Sequence, residues 1–205
     1  LFNPLHTLER IKETAELRSK DKGLEFNFSK RDGFPRLVKG DEMRFSQIVN
    51  NVISNAIKFT SEGFVNLDID SQVKPDNKVS LIISISDSGV GIKKEKMDSI
   101  FDSFSQNSID NKRKFGGLGL GLYIVKTLVD MQGGTVVMNS YPGKGTSCKI
   151  TIDFDIAEQP KIDLVPAEPE IYDLEGKTIL VVEDNSINQM VIKMITKKWL
   201  NTTVV

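Results

Sequence analysis

Three polar residues on one predicted helix could bind a metal ion and a phosphate group. Asn51, Asn55 and Lys58 lie three or four residues apart, so a helix would place them on one face. Asparagine is a poor helix former, and two of them at positions i and i+4 within a helix need a reason. A carboxamide oxygen is a good ligand for Mg²⁺, and an ammonium one turn further along can contact a phosphate. The alternative is that these residues form a solvated edge of the helix. Taken alone, this segment favours that alternative.

A glycine-containing turn after an apolar strand could hold a flat ligand. Asp87 ends that strand and is followed by Gly89, Gly91 and Ile92. The two glycines let the backbone turn sharply and approach a ring closely. An aspartate at the strand end can accept a hydrogen bond from an exocyclic amine such as that of adenine. An ordinary strand-to-helix turn explains this short motif equally well.

A second glycine-rich stretch, residues 116–122, enters a predicted helix. It exposes backbone N–H groups at the positive end of the helix dipole, so a polyphosphate is its natural ligand. It lacks the Gly-Lys-Ser/Thr that ends a P-loop, and no strand leads directly into it as in a dinucleotide-binding turn. Lys112, Arg113 and Lys114 lie just upstream and could contact the phosphates, although a solvated loop explains them about as well.

The elements that must position these residues follow from hydrophobic periodicity. Helices are predicted at 1–22, from the N-cap Asp41 to about residue 59, around 93–101 and at about 119–131. Strands are predicted near 24–28, 37–38, 64–73, 79–87, 135–139 and 146–154. Three of the seven prolines then fall within residues 156–172, which indicates a linker. After it come a buried parallel strand at 178–182, a helix at 186–200 and the start of a strand at 201–205.

The order and spacing of these motifs resemble the catalytic domain of histidine kinases across roughly residues 24–154. The stretch that resembles the family's asparagine box is Arg44-x-x-Gln47-x-x-x-Asn51-x-x-x-Asn55-Ala56-x-Lys58-Phe59-Thr60. After it come Asp87-x-Gly89-x-Gly91, Phe101-x-x-Phe104, the basic loop, the glycine-rich stretch and Gly143-Lys144-Gly145-Thr146. The resemblance implies an α/β (α+β) fold, a two-layer sandwich of a mixed sheet with helices on one face, and ATP with Mg²⁺ as ligands.

The resemblance also implies a role for each matching residue. Asn55 would hold Mg²⁺, Asn51 and Lys58 would lie near the phosphates, and Asp87 would recognise adenine. The remaining residues expected at the ATP site shape the base pocket, the lid or the phosphate cradle: Gly89, Gly91, Ile92, Phe101, Phe104, Arg113, Lys114, Gly117, Leu118, Gly119, Leu120, Gly121, Leu122 and Thr146. Leu118 stands where threonine or serine is commoner in the family. One hydroxyl contact of the family would therefore be missing, while the rest of the site would be unaffected.

The end of the chain resembles the first strand and loop of a response-regulator receiver domain, in the segment Ile179-Leu180-Val181-Val182-Glu183-Asp184-Asn185-x-x-Asn188. Glu183 and Asp184 would be its acidic Mg²⁺ pair, at the carboxyl end of a buried parallel strand. A strand end that runs into solvent is the alternative. The expected domains are the end of a dimerisation region with a connecting helix at 1–23, the catalytic domain at 24–155, a linker at 156–176, and the truncated β-α-β start of a flavodoxin-like receiver at 177–205.

Together the two resemblances imply the catalytic domain of a hybrid two-component sensor histidine kinase. It would transfer the γ-phosphoryl group of ATP to a histidine on a dimerisation domain, in a parent expected to be a homodimer, with onward transfer to a receiver aspartate. The single histidine, His6, lacks the acidic residue expected directly after a phosphoacceptor. The receiver's acceptor should end a third strand, which this sequence does not contain. We therefore expect neither acceptor in this chain.

Composition limits the partners. The net charge of −1 gives no general attraction to nucleic acid or to a membrane surface, so we expect neither as a partner. No apolar run approaches the ~18 residues of a membrane helix, and the single cysteine, Cys148, fits a reducing compartment. A cytoplasmic location is therefore expected, even if segments outside this sequence anchor the parent. Cys148 is expected to be a small buried side chain in a strand.

Two other functions use similar motifs. ATPases of the gyrase and mismatch-repair type carry a glutamate as general base one helical turn before the Mg²⁺-binding asparagine. Here that position is Asn51, which cannot take a proton from water at neutral pH. A non-catalytic ATP-binding regulatory module is the second alternative. The complete set of nucleotide motifs argues against it without excluding it.

Overall fold

The computed structural model describes residues 1–102, 120–157, 176–196 and 203–204. The chain forms two compact units, residues 1–160 and 161–205. The elements described in the first unit are α1 (Pro4–Asp21), β1 (Glu25–Lys30), β2 (Val38–Lys39), α2 (Glu42–Phe59), β3 (Phe64–Lys74), β4 (Lys78–Asp87), α3 (Lys94–Met97), α4 (Gly121–Met131), β5 (Thr135–Tyr141) and β6 (Gly145–Ile156). In these parts of the chain no helix is long and apolar enough to cross a membrane.

The six strands of the first unit form one mixed sheet. Its order is β1-β3-β4-β6-β2, and β5 also pairs with β6. β1 and β3 are parallel, whereas β4 is antiparallel to both β3 and β6. Alternate residues of β3, β4 and β6 face the helices and are buried: Val65, Leu67, Ile69, Val79, Leu81, Ile83, Ile85, Cys148, Ile150, Ile152 and Phe154. The expected mixed sheet with helices on one face is confirmed.

The opposite face of the sheet carries a polar network. The hydroxyl of the buried Ser80 donates to Oδ1 of Asp153 at 2.5 Å, and Lys74 Nζ lies 2.7 Å from Oδ2 of the same carboxylate. The hydrogen bond from Lys74, followed by the one from Ser80, lowers the pKa of Asp153. Alternating strands with one apolar and one polar face are what a two-layer sandwich requires.

Helix α2 supplies the largest apolar surface opposite the sheet. The Asp41 side chain caps its N-terminus by accepting a hydrogen bond from the Arg44 backbone N–H at 3.1 Å, as the sequence predicts. The seven residues predicted to form its apolar face are all buried: Phe45, Ile48, Val49, Val52, Ile53, Ala56 and Ile57. The more polar residues of the helix therefore lie outside this packed face.

Helix α1 packs into the same core. Leu8, Ile11 and Ala15 are buried together with the side chains of α2. In front of α1, the ring of Phe2 lies 5.6 Å from that of Phe45 and 5.7 Å from that of Phe154, measured between ring centroids. The backbone of Phe2 also exchanges hydrogen bonds with Val38, N–H to carbonyl in both directions. The start of the chain is thus bound to both layers of the sandwich.

Two predicted elements are shorter than expected. The predicted helix at 93–101 contains only the single helical turn of α3. Three lysines within four residues repel one another on such a turn, and the Ser99 hydroxyl donates to the Lys96 carbonyl, which competes with helical hydrogen bonding. The predicted helix from residue 119 begins at Gly121 in the described part of the chain.

The second unit contains β7 (Thr178–Ile179), α5 (Ser186–Thr196) and β8 (Thr203–Val204). β7 and β8 pair in parallel, and α5 lies between them along the chain. The prediction of a buried strand through residue 182 is wrong, because β7 ends at Ile179, and Leu180 and Val182 are 72% and 88% exposed. Two short strands and one helix are too few to bury both faces of a central strand.

We predict that Phe2→Ala will lower the free energy of unfolding of the first unit by about 3–5 kcal/mol. The reason is the loss of a ring that is only 4% exposed and contacts two other buried rings. Urea denaturation monitored by far-UV circular dichroism measures the change in the free energy of unfolding. Leu1→Ala is the matched control, because Leu1 is 68% exposed and should change stability by less than about 0.5 kcal/mol. Equal effects of the two substitutions would contradict the prediction.

Candidate functional site

A cavity of about 680 Å³ lies between α2, the loop after β4, α3 and the start of α4. It is lined by ten of the twelve predicted ATP-site residues that the structure describes: Asn51, Asn55, Lys58, Asp87, Gly91, Ile92, Leu120, Gly121, Leu122 and Thr146. Gly89 and Phe101 are the two described residues of the prediction that do not line it. The other predicted residues, Phe104, Arg113, Lys114, Gly117, Leu118 and Gly119, lie outside the described residues.

The polar face of α2 forms one side of the cavity. Asn51, Asn55 and Lys58 line it together, as their helical spacing predicts. The Nδ2 atom of Asn51 is buried and has no hydrogen-bond partner, whereas the neighbouring Asn50 donates to the Ser46 carbonyl at 2.9 Å. A buried amide left without a partner costs about 1–3 kcal/mol, so the arrangement favours a polar ligand at Asn51.

The start of α4 approaches α2 at Asn55. A Cβ atom built on Gly121 would lie 3.5 Å from Asn55 Nδ2, which shows how closely the two helices meet. Among the described residues no side chain caps the first turn of α4, and the positive end of its helix dipole lies at the cavity, which Leu120, Gly121 and Leu122 line. An amide group, a helix N-terminus and the Lys58 side chain therefore line the same cavity.

Asp87 lines the cavity at the end of β4. It pairs with Thr146 of β6 in the sheet register, which places both residues at one end of the two central strands. Its Oδ1 accepts a hydrogen bond from the Gly89 N–H at 2.9 Å. Burial raises the pKa of Asp87, and the backbone hydrogen bonds from Gly89 and Thr146 oppose that change. A desolvated carboxyl group at this place is a strong acceptor for a ligand N–H.

The backbone of the loop after Asp87 is tied to three other segments. The Ser88 N–H donates to the Phe64 carbonyl at 3.1 Å, and the Val90 N–H donates to the Phe59 carbonyl at 3.3 Å. The Ile92 N–H donates to the Ser140 hydroxyl at 2.8 Å. The loop is therefore held in place before any ligand binds.

Both glycines of this loop are required by close packing. A Cβ on Gly89 would lie 2.5 Å from the Phe59 carbonyl oxygen. Gly91 has a φ of +66°, and a Cβ there would lie 2.0 Å from the Tyr141 carbonyl oxygen. The sequence predicts that the two glycines shape the base pocket. Gly91 lines the cavity, whereas Gly89 lets the loop sit against the end of α2.

The sequence motifs do not predict the apolar floor of the cavity. It consists of side chains from both layers, among them Val52, Ala56, Ile85, Ile100, Ile124, Met138 and Cys148. Strand alternation could have found two of them, because Ile85 and Cys148 are paired partners two residues before Asp87 and after Thr146. Burial raises the pKa of the Cys148 thiol to about 12, so it stays protonated and acts as the small buried side chain that was predicted.

Ser140 is a second residue that the motifs do not reveal. Its hydroxyl accepts the hydrogen bond from Ile92 and lies 3.0 Å from the Gly145 carbonyl oxygen and 2.9 Å from Thr146 Oγ1. It thereby joins the loop after Asp87 to the turn between β5 and β6. Lys93, Lys96 and Ser99, which follow that loop, also line the cavity.

The described lining of the cavity combines an apolar floor and one carboxylate with a polar side of amide and ammonium groups. Such a division suits a ligand with a flat base at one end and phosphates at the other. In the part of the chain that the structure describes, no group of three His, Cys, Asp or Glu side chains could hold a metal ion alone. Mg²⁺ is commonly bound through one or two protein oxygens together with substrate phosphates, and the carboxamide of Asn55 fits that role.

Comparisons with known proteins identify the family of the chain. Residues 40–156 match the family described as histidine kinase-, DNA gyrase B- and HSP90-like ATPases. The chain is 38% identical over 165 residues to the autoinducer 2 sensor kinase/phosphatase LuxQ of Vibrio parahaemolyticus, a match that covers 78% of this chain and 19% of LuxQ. It is 33% identical over 180 residues to the signal transduction histidine-protein kinase BarA of Escherichia coli, covering 88% and 19% of the two chains. The chain thus spans about a fifth of the length of these relatives.

Solved structures show the same fold. ShkA in complex with AMPPNP matches 98% of this chain and 39% of its own, with a TM-score of 0.61 and 25% identity. The catalytic domain of the histidine kinase ThkA matches 74% of this chain and 95% of its own, with a TM-score of 0.57 and 25% identity. Since the family match covers more than half of the chain, the chain belongs to the histidine kinase-, DNA gyrase B- and HSP90-like ATPases and has the fold of their histidine-kinase catalytic domains.

Proposed function

We propose that this chain binds ATP with Mg²⁺ and presents the γ-phosphoryl group to a histidine on a dimerisation domain of a hybrid sensor histidine kinase. The observation that carries the proposal is one cavity in which the desolvated carboxylate of Asp87 and the Asn51, Asn55 and Lys58 side chains meet. The relatives, one named a sensor kinase/phosphatase and the other a histidine-protein kinase, support the reaction class. ATP supplies the phosphoryl group, and the protein supplies position and charge neutralisation.

Each residue has a proposed task that its surroundings support. Asp87 accepts the exocyclic amine of adenine, with its carboxylate oriented by the Gly89 N–H. Asn51 offers its unpartnered amide to a phosphate, and Asn55 holds Mg²⁺ next to the start of α4. Lys58 neutralises phosphate charge. The basic residues Arg113 and Lys114, which lie outside the described residues, are proposed to contact the phosphates as well.

The cavity does not favour an ATPase of the gyrase type. Among its described lining residues Asp87 is the only carboxylate, and no glutamate is present. Asp87 faces the base end, where it cannot activate water at the γ-phosphate. A side chain that takes a proton must lie within hydrogen-bond reach of the nucleophile. Transfer to an acceptor on another domain requires no such base for water.

The proposed partners are a histidine-containing dimerisation domain, a receiver domain and a second copy of the parent chain. His6 is not proposed as the acceptor. It lies in the first turn of α1, where its backbone N–H donates to the Asn3 side chain, and its side chain is exposed and does not line the cavity. The acceptor histidine is therefore expected from a segment other than this one.

The second unit is proposed to be the start of a receiver domain. The β7-α5-β8 order and the parallel pairing of β7 with β8 support this. Glu183 and Asp184 follow β7, as the acidic Mg²⁺ pair of a receiver would, and the Asn185 N–H donates to the Glu183 carboxylate at 2.9 Å. That hydrogen bond, as the largest cause, lowers the pKa of Glu183. The pair is half of a site and needs an acceptor aspartate to complete it.

We predict opposite effects of Asp87→Asn on binding and on stability. Loss of the carboxylate should weaken ATP binding by about tenfold or more, because the adenine amine loses its acceptor. The nucleotide-free protein should become more stable at pH 7. Burial raises the folded-state pKa of Asp87, so its ionised form costs stability above the unfolded pKa, and asparagine removes that cost. Calorimetric titration and thermal unfolding measure the two effects. Unchanged ATP affinity would refute the assignment of Asp87.

We predict that the chain will transfer labelled phosphate from ATP to a separately supplied histidine-kinase dimerisation domain, and will neither label itself nor hydrolyse ATP at a comparable rate. Asn55→Ala should reduce transfer by about tenfold or more, since metal affinity falls by that order when a supporting group is lost. Acid-labile label on the acceptor domain, counted after gel separation, measures transfer.

Asn50→Ala is the matched control for that experiment. Asn50 is the neighbouring asparagine on α2, but its amide is satisfied by Ser46 and it does not line the cavity. It should therefore transfer phosphate like the wild type. Label on His6 would contradict the assignment of the acceptor. Rapid phosphate release without transfer would favour the ATPase instead.

We predict that the second unit will accept no phosphoryl group. Glu183 and Asp184 could bind Mg²⁺ weakly, but no aspartate follows them in the sequence. Incubation with acetyl phosphate and Mg²⁺, followed by mass spectrometry of the intact protein, should show an unchanged mass. An added phosphate on residues 178–205 would contradict the prediction, and a complete receiver domain serves as the positive control.

A further inference from the structure

The side chain of Lys22 binds the end of helix α2. Its Nζ donates to the carbonyl oxygens of Ile57 at 2.6 Å, Lys58 at 2.9 Å and Thr60 at 2.6 Å. An ammonium group has three donors, and here all three are directed at backbone carbonyls. Lys22 lies at the end of α1, outside the family match of residues 40–156. The contact therefore joins the helix before the ATPase family region to the region itself.

The local structure of α1 places the Lys22 side chain. Gly23 has a φ of +73°, its N–H donates to the Lys20 carbonyl, and the Leu24 N–H donates to the Ser19 carbonyl. This is the Schellman arrangement that ends a helix with a glycine after the C-cap, and Lys22 is the C-cap. The following Leu24 is buried and anchors the turn. The backbone hydrogen bonds of this helix end therefore fix the backbone position of Lys22.

Lys22 completes the hydrogen bonding at the C-terminus of α2. The last carbonyls of a helix have no partner within the helix, and the negative end of the helix dipole lies among them. The Ala56 carbonyl accepts from both the N–H and the hydroxyl of Thr60, and the Phe59 carbonyl accepts from the Val90 N–H. The carbonyls of residues 57, 58 and 60 are those that Lys22 binds.

The same helix end carries the candidate site. The last turn of α2 includes Lys58 and begins directly after Asn55, and both line the cavity. The Phe59 carbonyl contacts the loop after Asp87, both through the Val90 N–H and through close approach to Gly89. A shift of this turn would therefore move the phosphate side of the cavity and the base side together.

We propose that Lys22 is a positioning residue for ATP binding: by holding the last turn of α2 it fixes Asn55, Lys58 and the loop after Asp87 in the geometry that binds the nucleotide. The proposal rests on the proposed ATP-binding function. Lys22 does not line the cavity itself, so the end of α1 would act on nucleotide binding through α2. A change in the position of α1 would then change nucleotide affinity through this contact.

The test compares Lys22→Met with Lys20→Met in the full 205-residue chain. Lys20 is an exposed lysine of the same last turn of α1 and is the matched control. Circular dichroism first verifies that each variant is fully folded at 10 °C. Affinity for Mg²⁺-ATP is then measured by calorimetry at that temperature. Lys22→Met should weaken binding by about tenfold, whereas Lys20→Met should bind like the wild type. Lys22→Arg should restore part of the affinity, because it keeps the charge but not the compact donor geometry.

Amide exchange in the nucleotide-free protein tests the positioning separately. Lys22→Met should increase exchange at the Val90 N–H, which is bonded to the Phe59 carbonyl, and leave the Gly134 N–H at the end of α4 unchanged. Lys22→Gln is measured in parallel in case the methionine variant does not fold. Wild-type affinity in folded Lys22→Met or Lys22→Gln, an equal loss in Lys20→Met, or unchanged exchange at Val90 would each overturn the proposal. A wild type that binds no ATP would instead refute the proposed function, and the exchange result would still decide whether Lys22 holds the helix end.

Discussion

Burial of the apolar face of α2 fixes the rotation of this helix about its own axis, and the candidate site depends on that rotation. Seven side chains of α2 face the core. Fully burying a large aliphatic or aromatic side chain contributes about 1.5–3 kcal/mol, so turning the helix to expose this face would cost about as much as a domain's whole stability. The amide face that carries Asn51 and Asn55 is therefore directed into the cavity by forces that do not involve a ligand.

The cavity itself contains groups that are unfavourable without a ligand. The Asp87 carboxyl group is desolvated, and the Asn51 amide is buried without a partner. The surrounding structure is rigid enough to keep them there, because the loop after Asp87 is hydrogen-bonded to three segments and packs at distances that admit only glycine. Stability from the core thus maintains a polar arrangement that is most favourable when a nucleotide is bound, which is the usual relation between a scaffold and its functional site.

Sequence reasoning predicted the elements that depend on strong local patterns. The apolar face of α2 and its Asp41 cap follow from periodicity and capping, whereas the mixed sheet and most of the cavity residues were implied by the resemblance to histidine-kinase catalytic domains. What it missed depends on tertiary contacts. The apolar floor comes from strands that are far apart in sequence, such as Ile85 and Cys148. The bonds of Lys22 join residues 35 or more positions apart. The run from Thr178 to Val182 is apolar enough for a buried strand, but in the described second unit it lacks the neighbours that would bury it.

The topology of the sheet has a consequence for the synthesis of the protein. β6 is the last of the six strands along the chain, yet it pairs with β4, β5 and β2 and therefore lies inside the sheet. Thr146, which faces Asp87 across the β4–β6 pair, is on this strand. A ribosome adds about 5–20 residues per second, so several seconds separate the emergence of β4 from that of β6. During this interval the edge of β4 that later pairs with β6 has no partner. The cavity also lacks the two lining residues that β6 supplies, Thr146 and Cys148. The candidate site is complete only after β6 has paired, so a ligand that needs the whole cavity cannot guide the early steps of folding on the ribosome.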